Sequence, residues 1–268
     1  MKASKQFRGG KQTKIKDADA ELKPLSSGDK AKDKMLVAEL ATQIAVQQEM
    51  LFAAGKHKVL VVLQGIDTSG KDGTVKDVFN VINPQGVQIV NFKAPSSIEL
   101  AHDYLWRVHQ QVPKSGDIVV FNRSHYEDVL ITRVHDWIDD AECERRYAQI
   151  RDFERMLSET GTTIIKCLLH ISKNEQRSRL QERIDDPAKH WKFDMQDLEE
   201  RKSWDKYQEL FGKAINATDA DHAPWYVIPA NSKTHRNLAI ATILLETLLD
   251  LKLTPPDPKP ELKGLKIE

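Results

Sequence analysis

Five short runs of aliphatic and β-branched residues punctuate the chain, at 58–63, 87–92, 117–121, 162–170 and 225–229. None alternates with polar residues, which suits strands covered on both faces, as in a parallel sheet. Between and after them, apolar positions recur at helical spacing over 73–82, 98–110, 141–159, 175–184, 198–215 and 235–251. Ahead of the first run, Leu36, Leu40, Ile44 and Leu51 predict a helix over 32–54, which Gly55 can stop. Strands alternating with helices over this length predict an α/β domain with a central parallel sheet and helices on both faces, a three-layer fold. No internal repeat interrupts the pattern.

The ends depart from it. The first sixteen residues hold Lys2, Lys5, Arg8, Lys11, Lys14 and Lys16 and no acid. Residues 1–31 therefore read as a basic, flexible arm, either a solvated tail or a polyanion-binding segment. Residues 253–268, with Pro255, Pro256, Pro258 and Pro260, read as an extended tail. The catalytic unit is expected over 32–252. Across all 268 residues, 40 basic side chains balance 40 acidic ones, so no global field for nucleic acid exists. No apolar run approaches the length of a membrane span. The two cysteines, Cys143 and Cys167, form no framework, and no secretory run follows Met1. A cytoplasmic protein with reduced thiols is the expectation.

The chemistry gathers at two strand ends. Gly65-Ile-Asp-Thr-Ser-Gly70-Lys71 fits G-x-x-x-x-G-K, directly after the first strand and at the start of a helical stretch. In such a loop the backbone N–H groups converge on an anion at the helix N-terminus, and the lysine adds a mobile charge. Gly65, Thr68, Ser69, Gly70, Lys71, Asp72 and Gly73 are thus candidate phosphate ligands. Asp72 stands where such loops usually carry Ser or Thr. Asp67, inside the loop, is a candidate Mg²⁺ ligand or oriented base, with helix capping as its plain alternative.

The third strand runs into Asn122-Arg-Ser-His-Tyr-Glu-Asp128. Ligands of open α/β sheets bind at such carboxyl ends. Arg123 offers a planar fork to phosphate; Glu127 and Asp128 supply the acidity that Asn122 lacks. Ser124, His125 and Asp128 are too close in sequence for a Ser–His–Asp relay, and no G-x-S-x-G elbow exists. Histidine spacing gives no zinc motif. After the fourth strand, residues 173–202 carry eight bases and eight acids around an Asp-Asp-Pro break. They read either as a salt-bridged surface or as a lid, over about 173–200, that brings Arg179 and Arg183 to a transferring phosphoryl group. Trp191 and Trp204 are expected to pack rather than to meet ligand.

Together, Gly-Ile-Asp-Thr-Ser-Gly-Lys-Asp-Gly, the 121–128 block and Glu-Arg-Ile-Asp-Asp-Pro-Ala-Lys-His-Trp-Lys-Phe at 182–193 resemble the polyphosphate kinase 2 family. The 104–111 and 223–230 segments add to the likeness, which spans about 32–251. Asn122 resembles the class III branch; other branches carry Asp there. The resemblance implies a P-loop kinase-like fold with a helical lid, and reversible transfer of the terminal phosphate of inorganic polyphosphate to AMP and ADP, forming ADP and ATP. It implies Mg²⁺, with Mn²⁺ as a substitute, and a homo-oligomer, dimer or tetramer. By the same resemblance Asp67, Lys71, Arg123, Glu127, Asp128 and Arg183 carry catalysis, Asn122 and Arg179 bind phosphate or nucleotide, and Asp67 and Asp128 bind the metal. The rivals are an ATP-dependent nucleoside monophosphate kinase and a non-catalytic polyphosphate-binding protein.

Overall fold

The computed structural model describes residues 2–262 and 265–267. Five parallel strands form one sheet: β1 (Lys58–Gln64), β2 (Val87–Asn91), β3 (Ile118–Asn122), β4 (Thr162–His170) and β5 (Trp225–Pro229), in the order β2-β3-β1-β4-β5. Seven helices of eight residues or more appear among the described residues: α1 (Lys30–Ala54), α2 (Lys71–Val78), α3 (Asp140–Glu159), α4 (Lys173–Asp185), α5 (Met195–Lys202), α6 (Trp204–Thr218) and α7 (Lys233–Asp250).

Val59 to Leu63 of β1 are all fully buried, so both faces of the sheet are covered, as unbroken β-branched runs require. α1, α2 and α7 pack on one another, and α3 packs on β4 and α6. Asp29 caps α1 by accepting from the Ala31 and Lys32 amides, and Gly55, at φ +60°, closes it. β2 is the exception among the strands. It lies at the sheet edge and is only partly buried, with Gln88 and Asn91, the polar residues of its run, exposed. The sheet order makes β1 and β3 neighbours whose outgoing chains diverge, and the crevice between them is where α/β sheets bind ligands. The result is the three-layer α/β fold, with a helical excursion, α4 to α5, after β4.

Three expectations need correction. The predicted helix over 98–110 is two single turns, Ser97–Leu100 and Trp106–His109, because Asp103 accepts the Leu105 amide and restarts the chain there. The helix over 198–215 is broken at Ser203, where the chain turns to bury Trp204. The basic arm is docked. Ala3 and Phe7 join the core. The Phe7 carbonyl accepts the Val227 amide (2.9 Å), and the Gly9 amide donates to Trp225 (2.8 Å), so the arm adds to the β5 edge. Its lysines stay exposed while its backbone is held. No helix among the described residues is long and apolar enough to cross a membrane. Cys143 and Cys167 are free and buried; burial pushes the Cys167 thiol up to about 12.

Candidate active site

The glycine loop expected to take phosphate links the end of β1 to the start of α2. Gly65 (φ +150°) and Gly70 (φ +101°) take conformations that suit glycine. Space forbids a side chain at either: a Cβ on Gly65 would lie 2.7 Å from the Leu169 carbonyl, and one on Gly70 would strike Arg236. Thr68, at φ +66°, is left-handed without being glycine, a costly state found at functional loops. The hydroxyls of Thr68 and Ser69 are buried without a hydrogen-bond partner, which fits a cradle for an oxyanion.

Lys71 is buried rather than free at an open end. Its Nζ donates to the Gly65 carbonyl (2.7 Å) and, more weakly, to that of Ile66 (3.4 Å). Burial, aided by the nearby Arg123 charge, lowers it to about 8. Asp67 pairs with Arg123. Arg123 is itself left-handed (φ +63°), with its amide donating to the Leu63 carbonyl (3.0 Å), so the loop after β3 is stitched to the end of β1. Asn122 ties three elements together: its Nδ2 donates to Asp72 Oδ1 (2.6 Å) and to Asn91 Oδ1 (2.7 Å). Asp72, at the start of α2, therefore faces Asn122, and its carboxylate is not a free cap.

Glu127 and Asp128 part company. They lie in the 3-10 turn His125–Val129, where consecutive side chains diverge by about 120°. Glu127 turns toward Arg123, Lys71 and Asp67, and burial raises its carboxyl above the ordinary glutamate range. With the Gln64 amide oriented to satisfy both ends, it donates to Glu127 Oε1 (3.0 Å) and accepts from Ser124. Asp128 lines the same cavity as Glu127 but sits beside Arg107 and Arg146; burial raises it to about 6 while those two charges oppose the shift. Of the expected metal pair, Asp67 and Asp128 line different cavities, and the Asp67 charge is felt at Glu127. Among the described residues no group of three or more His, Cys, Asp or Glu is disposed to hold a metal. One or two carboxylates completed by substrate oxygens is the usual way to hold Mg²⁺, and Asp67 with Glu127 fits it.

The turn that carries these groups is anchored from behind. Glu154, fully buried on α3, accepts from Tyr126 Oη (2.8 Å) and Lys166 Nζ (2.6 Å) and lies 3.2 Å from His125 Nε2. The second and third residues after Arg123 are therefore locked to an internal ion pair. His125 serves this anchoring network.

The two lid arginines separate as well. Arg183 lines the cavity, with Nη1 bonded to the Lys192 carbonyl (2.8 Å) and to Asp197 (3.0 Å), so it belongs to the lid proper. Arg179, one turn nearer the sheet, is buried and spends all of its donors: Nε on Glu175, Nη1 on the Thr68 and Ser69 carbonyls, Nη2 on those of Ala230 and Asn231. A guanidinium has five N–H groups, and none is left for a phosphate. Arg179 braces the loop; the expectation that it binds phosphate is corrected. Trp204 is buried as expected, but Trp191 on the lid is 79% exposed.

Sequence reasoning missed Arg236. It is buried at the start of α7, donates to the Ser69 carbonyl and lines the cavity. Its signal was position, since the chain leaving β5 starts at the same rim as the other strand ends. Gln64 was missed too, although it directly precedes the glycine loop.

Two cavities result. One, of about 690 Å³, lies over the phosphate loop and is walled by Lys71, Lys189, Lys192, Lys233, Arg183 and Arg236 among others. The second, of about 720 Å³, holds Tyr104, Ile131, Trp137 and Ile138 together with Arg107, Asp128 and Arg146. Phe92, Lys93, Ala94 and Arg123 line both. A cavity rich in basic side chains and a mixed aromatic and polar cavity thus meet at one arginine.

Residues 27–254 match the family model described as Polyphosphate kinase 2. The chain belongs to the polyphosphate kinase 2 family. It is 53% identical over 232 residues to the AMP/ADP-polyphosphate phosphotransferase of Meiothermus ruber, covering 87% of each chain. To the ADP-polyphosphate phosphotransferase of Rhodopseudomonas palustris it is 43% identical over 225 residues, 80% of this chain and 78% of that one. The crystal structure of Polyphosphate Kinase 2 from Arthrobacter aurescens TC1 superposes with a TM-score of 0.94 at 44% identity, over 100% of this chain and 94% of that one. As a polyphosphate kinase 2 family member the protein is a phosphotransferase of the P-loop kinase-like fold.

Proposed function

We propose that this protein transfers the terminal phosphoryl group of inorganic polyphosphate to AMP and to ADP, reversibly, with the phosphate-loop cavity taking the donor and the second cavity the acceptor nucleotide. The observation that carries the reading is the junction. A basic cavity over an anion-binding loop opens through Arg123 onto a cavity with aromatic and aliphatic walls. A chain of phosphates needs the first and a nucleoside the second. The name of the M. ruber relative supports polyphosphate with AMP and ADP, and that of the R. palustris relative polyphosphate with ADP.

Both reactants are polyanions, so the work is positioning and charge neutralisation. The loop amides and the Thr68 and Ser69 hydroxyls receive the terminal phosphate of the donor. Lys71, drawn off the Gly65 carbonyl, adds charge to its oxygens. Arg123, at the cavity junction, faces both the transferring group and the acceptor phosphate, held in plane by Asp67 and Glu127. Arg183 enters from the lid and excludes water as the lid closes. Asp67 and Glu127 would hold a Mg²⁺, which would supply neutralisation of phosphate charge; Mn²⁺ accepts similar ligands. No protein nucleophile is required.

The test is formation of ADP from AMP, and of ATP from ADP, with long-chain polyphosphate as the only donor, followed by chromatography of the nucleotides. Both products are expected. Phosphorylation of AMP by ATP alone would assign the protein to the nucleoside monophosphate kinases. Polyphosphate binding without turnover would make it a binding protein.

A further inference from the structure

Trp137, at the rim of the second cavity, is 68% exposed, yet the turn that presents it is fastened from several sides. Asp136, just before it, takes a left-handed φ of +54°, unfavourable for a non-glycine residue. Lys206 of α6 meets both Asp136 carboxylate oxygens (2.9 and 3.0 Å) and the Val134 carbonyl (2.9 Å). Arg133 bonds Asp136 (3.2 Å) and the Ile138 carbonyl (2.6 Å). The Trp137 amide donates to the Thr132 carbonyl (2.8 Å). A strained, multiply tied turn that holds a large apolar ring in solvent at a cavity mouth has the form of a stacking surface. Every nucleobase offers a π face to such a ring, and a held ring loses little entropy on binding.

Trp137 is also connected to the lid. Its ring stacks on His135, with centroids 5.1 Å apart and planes 22° from parallel. His135 Nε2 lies 2.8 and 3.1 Å from the two carboxylate oxygens of Glu200. Glu200 is buried on α5, the helix by which the lid returns to the body, and also accepts from Tyr207 Oη (2.6 Å) and Gln196 (2.7 Å). One turn earlier on α5, Asp197 lines the donor cavity and receives Arg183. One short helix therefore touches both lobes.

We propose that Trp137 is the surface on which the base of the acceptor nucleotide stacks, and that Glu200, acting through His135, sets the plane of that surface from the lid helix. The proposal rests on the acceptor reading of the second cavity and adds which group takes the base and what aims it. His135 and Glu200 are positioning residues; neither touches the reacting atoms.

The experiment uses the full chain with Mg²⁺, long-chain polyphosphate and AMP. Trp137→Ala should raise KM for AMP about 10-fold or more while leaving KM for polyphosphate unchanged. Trp137→Phe keeps a ring and should recover most of that loss. Ribose 5-phosphate lacks the base, so its inhibition constant against AMP should be the same in wild type and Trp137→Ala. Glu200→Gln and His135→Gln should raise KM for AMP in the wild-type background but add little in the Trp137→Ala background. A purely structural role would instead act equally in both backgrounds and follow thermal melts, and full additivity overturns the aiming role. An unchanged AMP KM in Trp137→Ala overturns the stacking role and leaves the acceptor reading standing. No turnover of AMP or ADP by the wild-type protein overturns that reading itself.

Discussion

Arg179 and Arg236 converge on one carbonyl: their Nη1 atoms lie 3.1 and 3.3 Å from the oxygen of Ser69 in the phosphate loop. One comes from the helix after β4, the other from the helix after β5, so two crossovers hold the loop from behind. Burial, reinforced by the neighbouring Arg179 charge, brings Arg236 down to about 10. The loop is thereby held by groups that bind its carbonyls, and the two charges add positive potential at the loop.

This division of labour predicts a contrast between the two lid-side arginines. Arg179→Lys keeps the charge but has three donors for the five acceptors Arg179 now serves. Turnover should fall about 100-fold or more through lost loop geometry, and the melting temperature should drop by several degrees, at about 2–4 °C per kcal/mol for a chain of this size. Arg183→Ala, with only the Lys192 carbonyl and Asp197 to lose, should leave the melt nearly unchanged. It should lower kcat on the order of 10³-fold if it meets the transferring group. Calorimetry and steady-state kinetics on the two variants check this; matching melts and matching rate losses would erase the distinction.

Lys71 predicts a pH dependence. Held at about 8 by burial, it loses its charge in the free enzyme above that pH, while bound phosphate restores the charge. kcat/KM for polyphosphate, which reports the free enzyme, should fall above about pH 8, and kcat should persist to higher pH. The stability sign follows from proton counting. Between about 8 and 10.5 the native state binds fewer protons at Lys71 than the unfolded chain, so this group's contribution rises with pH across that window. Lys71→Met should accordingly be more stable than wild type below about pH 8, by at most about 3.5 kcal/mol at 1.4 kcal/mol per unit, with the gap closing near 10.5. Denaturant melts at pH 7 and pH 10 measure it; a gap independent of pH would mean that Lys71 is not buried as a charge.

The central strands were legible because residues buried on both faces leave an unbroken β-branched run, and the loop after β1 because glycine, lysine and a following helix have one common use. The site's finer division was not. Arg179 and Arg183 share a spacing that puts them on one helical face, but only the depth of α4 against the loop tells a brace from a lid residue. Glu127 and Asp128 are neighbours whose separation depends on a 3-10 turn rather than an α-helix. The docking of the first residues rests on Ala3 and Phe7, too sparse to form a period, and on pairing with a strand more than two hundred residues away.

That docked arm predicts a role for Asp17. Its Oδ2 accepts the Lys173 amide at the first residue of α4 (3.0 Å), and its Oδ1 accepts the Trp204 indole N–H (3.3 Å). Asp17→Ala removes an acceptor from a helix N-terminus, a loss of about 1 kcal/mol in comparable caps. Amide exchange over α4 should quicken, with exchange in the central strands unchanged. Unaltered exchange in α4 would mean that the arm does not steady the lid.

Asn122 gives the sharpest test of how the loop meets the end of β3. Its Nδ2 donates to Asp72 and Asn91, at 2.6 and 2.7 Å. Asn122→Asp replaces that donor with an oxygen facing the Asp72 carboxylate at hydrogen-bond distance. Two carboxylates so placed cannot both ionise without a cation between them or a shared proton. At pH 7 with chelator present, the variant should lose on the order of 1–3 kcal/mol. The defect should fade as the pH falls toward the carboxylate range, because a raised native pKa costs stability only where the unfolded carboxyl has already ionised. Millimolar Mg²⁺ should restore the variant by occupying the new pair, while the wild-type melt without nucleotide moves little. A variant as stable as wild type in chelator, indifferent to Mg²⁺ and to pH, would show that Asn122 and Asp72 do not face each other, and the arrangement of the loop against the end of β3 would have to be redrawn.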